Sequence, residues 1–227
     1  MLRIMPREMR MMSERILSLT DLPKGFITMI CDTIMYSEAM GLGGFAMLEA
    51  QIDALKPSDP ARLRLDAHGQ TLDAGGLHAW TVVPSALDLL GFAVSQGKTA
   101  RLTIINTLGA NELSVAEGLG RRHGLAVLVE ATTLTAEGLD APDDPILTRV
   151  LQEGCSIAED QWWRIWALAQ TALSPDSVVS RRHAGPVIVA DDGQIIGRKD
   201  NDDDTDFSLI TSFHPEPTDT SRNGAEK

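Results

Sequence analysis

Read for the spacing of its apolar positions, the chain resolves into a series of predicted elements. Between Phe26 and Met40 the residues Phe26, Ile27, Ile30, Ile34 and Met35 recur near helical spacing, and Phe45 to Leu55 resumes the pattern. Two helices are expected around the break Gly41-Leu42-Gly43-Gly44. Lys56-Pro57-Ser58-Asp59-Pro60 then punctuates the chain, and Arg62 to Asp66 with Thr71 to Ala74 flank His68-Gly69 as a polar hairpin. Leu77 to Val83 reads as a further strand. Pro84 suits the first turn of a helix running to about Ser95, because its ring presets φ and its missing N–H has no partner there in any case.

The signals agree best between Ala100 and Ala131. Arg101 to Ile105 is a β-branched run, Asn111 is placed to cap a helix, and Leu125 to Val129 is almost wholly apolar. The intervening helix ends in Arg121, Arg122 and His123 before Gly124, which sets cations at the negative end of the dipole and glycine at the position that closes a helix. This is a βαβ unit. Thr135 to Pro145 reads as a linker, Ile146 to Leu151 and Ala158 to Ala172 as helices, and Asp191-Asp192-Gly193 as the turn of a hairpin between Val187-Ile188-Val189 and Ile195-Ile196. The expected class is α/β, with α+β as the variant: N-terminal helices, a central mixed sheet containing one βαβ unit, and a C-terminal helix and β-hairpin.

Composition bounds the rest. Of the 227 residues 43% are hydrophobic, enough to offset the entropy of ordering one core. A single globular domain is expected over residues 13–198. Residues 1–12, rich in methionine and arginine, read as a flexible extension, and the polar, acidic residues 199–227 as a largely disordered tail. The net charge of −12 and the lack of a basic, aromatic-studded stripe argue against nucleic-acid and anionic-membrane partners. The N-terminus never assembles the apolar stretch of a signal peptide or span, so a cytoplasmic home is expected. Cys31 and Cys155 lack metal or redox spacing and read as reduced, buried thiols.

Several motifs carry candidate chemistry. Gly41-Leu42-Gly43-Gly44-Phe45-Ala46 formally fits a dinucleotide fingerprint with Asp66 beyond it, but what precedes it reads as helix, not strand, so a helix-breaking turn is the better reading. Asn106, Thr107 and Gly109 follow a strand where open α/β sheets bind ligands, yet Glu112 in the next turn would repel an anion, favouring a structural loop. The run Asp200 to Asp206 offers oxygen ligands, but Thr205 and Thr211 stand where a calcium loop needs glycine and glutamate. His68, His78, His123, His183 and His214 are dispersed without zinc-site pairing. No cofactor and no metal are expected.

Two features remain. Trp162, Trp163 and Trp166 crowd one predicted helix, with Trp162 and Trp166 as an i, i+4 pair on one face. They serve either core packing or an aromatic anchor for a ligand, a protein partner or a second copy of the chain. The segment Ser174 to Gly185 is the densest polar cluster outside the tail, and its hydroxyls and guanidinium groups suit a carboxylate or phosphate. Ser177, Ser180, Arg181 and Arg182 are the candidate ligand-binding residues, set against a capped turn with surface arginines.

At this segment the chain resembles an uncharacterised bacterial family of domains of unknown function and about this length. The resemblance rests on Ala169-Gln170-Thr171, on Ser174-Pro175-x-Ser177-x-x-Ser180-Arg181 and on Gly185, and more diffusely on residues from Leu17 onward. Gln170 and Ala172 depart from the arginine and aromatic residue that precede the proline in that pattern. The resemblance implies no reaction; it marks Ser177, Ser180 and Arg181 for testing. Two functional expectations follow. Either a small acidic metabolite binds at the Ser/Arg segment, or the chain is a noncatalytic interaction or assembly subunit using its tryptophan-rich helix.

Overall fold

The computed structural model describes residues 1–97, 99–173, 187–189 and 195–197. The chain divides into two units, Met1–Leu173 and Ser174–Lys227. The first is an α/β unit built on a mixed five-stranded sheet.

Where a flexible extension is expected from residues 1–12, the structure has a strand, β1 (Leu2–Ile4), and most of a helix, α1 (Pro6–Leu17). Pro6 opens the helix, and Met9, Met12 and Ile16 form a fully buried stripe at helical spacing. The methionines are core residues: an unbranched thioether fills irregular gaps that branched side chains do not. Two helices follow as the apolar spacing predicts, α2 (Lys24–Ala39) and α3 (Gly44–Leu55). Gly41 and Gly43 sit at φ of 78° and 81°, and a Cβ on Gly44 would lie 2.3 Å from the Ile34 carbonyl oxygen. The glycines therefore serve a tight elbow between two packed helices, and no strand aims the turn as a dinucleotide fingerprint requires.

The expected polar hairpin forms as β2 (Arg64–Leu65) and β3 (Thr71–Asp73), with the Asp66 carboxylate accepting from the backbone N–H groups of Gln70 and Thr71. After it the structure departs from the expected strand. Residues from Ala79 onward form one long helix, α4 (Ala79–Gln96), capped by His78, whose Nδ1 accepts from the Trp80 N–H at 3.3 Å. Pro84 lies inside this helix instead of opening it. An interior proline forfeits a backbone hydrogen bond, but Val82, Val83, Ala86, Leu87 and Leu90 are all buried by the helical phase, and that burial outweighs the loss.

The sheet runs β2-β3-β4-β6-β5, where β4 is Thr99–Ile105, β5 is Leu125–Glu130 and β6 is Thr133–Gly138. β3 and β4 are adjacent and parallel, so β3–α4–β4 is a βαβ unit. The expected unit spans β4, the helix α5 (Val115–Arg122) and β5, but its two strands do not touch. β6 runs antiparallel between them, placing Leu102 opposite Leu134 and Val127 opposite Ala136. The expected linker from Thr135 to Pro145 thus begins as strand, through Gly138, and is irregular only after it. Its alternation is real, with Leu134 and Ala136 buried, but alanine and threonine make it faint in sequence. α5 closes at Gly124, φ 74°, behind Arg121 and Arg122 as expected.

Asp144 caps α6 (Pro145–Glu153), and β7 (Cys155–Ile157) pairs antiparallel with β1, tying the first residues to the last helix of the unit, α7 (Glu159–Gln170). Of the second unit the structure describes the predicted hairpin, β8 (Val187–Val189) against β9 (Ile195–Gly197). Among the described residues no helix is long and apolar enough to cross a membrane.

Candidate functional site

The register of α7 decides what its tryptophans do. Glu159 and Asp160 in its first turn oppose the positive end of the helix dipole. Trp162, Ile165 and Ala169 face inward and are buried, and the Trp162 ring meets Phe45 of α3 edge to face with centroids 5.7 Å apart. Trp162 is therefore a core residue. The tryptophans that pair with each other are not Trp162 and Trp166 but Trp163 and Trp166, at 6.2 Å and an interplanar angle of 70°. They remain 54% and 37% exposed. An i, i+3 and an i, i+4 pair are both neighbours on a helix, and the side that packs against the core selects between them.

Trp163 and Trp166 share one outward stripe with Glu159 and Gln170, all four exposed. Arg164 stands beside them without covering either ring. Its Nε donates to Glu49 on α3 at 2.7 Å and its Nη1 to Asp160 at 2.9 Å. Two large apolar rings thus face outward on a helix anchored to the core.

Elsewhere one buried polar cluster is fully engaged. Glu112, expected from the sequence only to repel an anion, is fully buried and accepts from Ser37 Oγ at 2.7 Å and from Trp80 Nε1 at 2.8 Å. This network, made from residues 75 positions apart, has no local sequence signal. The loop bearing Asn106, Thr107 and Gly109 is stitched to the start of α4 by Gly76 N–H to the Asn106 carbonyl at 2.7 Å and Ala79 N–H to the Leu108 carbonyl at 2.9 Å. Gly109 lies against the His78 ring, where a Cβ would stand 2.5 Å from Nε2. The loops that follow β3 and β4 are thus hydrogen-bonded to each other through their backbones.

A small cleft of about 160 Å³ between α2, α4 and α5 is floored by Leu87 and Leu119, with Asp32, Asp88, Arg122 and His123 also lining it. The Asp32 carboxylate there is clasped by Arg10 and Arg122, each at 2.7 Å. Both thiols are buried, and desolvation raises each pKa, that of Cys31 up to about 12, so neither is a nucleophile at neutral pH. Desolvation pushes the His78 imidazole down to about 4. Among the described residues no three His, Cys, Asp or Glu side chains assemble to hold a metal.

Ser177, Ser180, Arg181 and Arg182, the predicted ligand-binding residues, lie outside the described residues, as does the acidic run from Asp200 to Asp206.

No family model and no curated protein matches this chain. Among solved structures it is similar to malate dehydrogenase from Entamoeba histolytica, at 9% identity and a TM-score of 0.42 over 56% of this chain and 37% of that one. It is similar also to malate dehydrogenase from Pyrococcus horikoshii OT3, at 10% identity and a TM-score of 0.43 over 75% of this chain and 66% of that one. The chain thus spans less than two thirds of either neighbour's length, and likeness at this level carries no argument about its activity.

Proposed function

We propose that this chain is a noncatalytic interaction subunit that docks a protein partner on the outer face of α7. The observation that carries the reading is the exposure of Trp163 and Trp166 as a ring pair on a helix whose opposite side is locked into the core. Large, rigid aromatic side chains lose little entropy on binding and dominate interface energetics, whereas scattered single exposed apolar residues carry no such meaning. The paired rings form one apolar spot flanked by the charged side chains of Glu159, Asp160 and Arg164, the anatomy of an anchor beside a polar rim.

The test is to purify the tagged chain from cells that naturally produce it, alongside the variant Trp163→Ala/Trp166→Ala. The proposal expects a stoichiometric partner that the variant loses while keeping the wild-type melting temperature. Each tryptophan truncation at such an anchor weakens binding by about 2 kcal/mol, roughly thirtyfold. Recovery of the same partner with both proteins, or of the chain alone from both, overturns it.

A further inference from the structure

We infer that the outer stripe of α7 recognises a cationic side chain, an arginine above all, presented by a basic segment of the partner. The inference rests on the docking role proposed for this face and names the chemistry it reads. Glu159, Trp163, Trp166 and Gln170 follow one another at spacings of four, three and four residues, so they lie on one line along the helix. A carboxylate one turn before an exposed indole matches an arginine laid along the helix, its planar guanidinium stacked on the ring and its N–H groups turned to the acid.

Three further observations favour a cation over an apolar or anionic occupant. The protein's own nearby cation is withheld: Arg164 lies between the two tryptophans in sequence, yet Glu49 and Asp160 hold its guanidinium. Among the described residues Glu159 has no hydrogen-bond or ion-pair partner, and no cation is stacked on either exposed ring. The acidic residues Glu49, Glu159 and Asp160 outnumber the one arginine around the pair, and the whole chain carries −12, so the field draws a basic partner in.

The extent of the patch argues against a second copy of the chain as the occupant. The exposed fractions of the two rings amount to roughly 200 Å² of indole surface, against the roughly 800 Å² each partner buries in a standard stable interface. A self-complementary contact would also oppose like charges across its axis.

The probe is the peptide acetyl-Ala-Arg-Ala-Arg-Ala-amide, titrated into the full-length chain at low salt, with the citrulline peptide as a neutral isostere. Indole N–H resonances are followed by NMR and assigned from the signal lost in Trp163→Phe and in Trp166→Phe. The expected result is movement of the Trp163 and Trp166 signals while those of Trp80 and Trp162 stay fixed. Binding of the arginine peptide should be at least about threefold tighter than that of citrulline and weaken about threefold in Glu159→Gln. Glu159 is exposed at the helix start, so that variant keeps its fold. Equal binding of the two peptides, or no movement of the two exposed indoles, overturns the cation reading. Either result leaves the docking face standing if the partner is still lost in Trp163→Ala/Trp166→Ala. Concentration-dependent movement of the same signals without peptide assigns the face to a second copy and also overturns the inference.

Discussion

Acidification should remove a stability contribution made by His78. Its ring is fully buried, lies edge-on to Trp80 at a centroid distance of 4.7 Å, and uses Nδ1 to accept the Trp80 N–H, which leaves the proton on Nε2 with no acceptor. Desolvation holds the folded-state pKa near 4 against an ordinary 6.5. The unfolded chain therefore takes up a proton near pH 6.5 that the folded chain refuses until about pH 4, and stability falls with pH across that window. At about 1.4 kcal/mol per pH unit the full gap is worth roughly 3 kcal/mol, all of it present above pH 6.5. Glu38 works in the opposite sense, because burial raises its carboxyl pKa and its contribution is lost as pH rises, so the wild-type curve alone does not isolate His78. The variant His78→Asn does, since asparagine preserves an N-cap acceptor and does not titrate. Urea unfolding at half-unit steps from pH 7.5 to 4 should show the wild type losing roughly 3 kcal/mol relative to the variant as the pH falls. Curves that stay parallel across the window would refute the reasoning.

Three further outcomes follow from the same structure. Met12→Ala should lower unfolding stability by about 2 to 4 kcal/mol, measured by denaturant titration, because the side chain is fully buried; a change within 0.5 kcal/mol, roughly a surface-site effect, would return residues 1–12 to an unstructured extension. Glu112→Ala strands the buried donors of Ser37 and Trp80 and should lower stability by about 3 kcal/mol or more; an unchanged denaturation midpoint would show that the network is not held. If the Ser/Arg segment binds an acidic metabolite, a thermal-shift screen against carboxylate and phosphate compounds should raise the melting temperature of the wild type but not of Arg181→Ala. An equal response in the variant would remove Arg181 from that role.

What was legible in the sequence was local. The glycine elbow at Gly41 to Gly44, the hairpin about Gly69, the paired strands Val187–Val189 and Ile195–Gly197, and the close of α5 at Gly124 each depend on residues near one another in sequence, and each formed as expected. What was missed needed a distant partner. β1 and β7 are three residues each and gain meaning only from pairing between Leu2–Ile4 and Cys155–Ile157, far apart in the chain. β6 is a strand because β4 and β5 leave a slot for it, and α4 overrides the strand preference of Val82 and Val83 because the sheet offers its helical face a surface. The candidate site falls between these cases. The crowding of tryptophans was visible, but their division into Trp162 inside and Trp163 with Trp166 outside was read in the wrong register. Ile165 and Ala169 already marked the inward line through Trp162, and Glu159 and Gln170 the outward line through the other two.

The most direct test of the docking face is hydroxyl-radical footprinting, with oxidation at each tryptophan quantified by mass spectrometry in the isolated chain and in its native assembly. The account predicts that Trp163 and Trp166 react far faster than Trp80 and Trp162 in the isolated chain, and that this difference disappears in the assembly because the two outer rings become protected. Outer rings that react as fast in the assembly as in the isolated chain would contradict it.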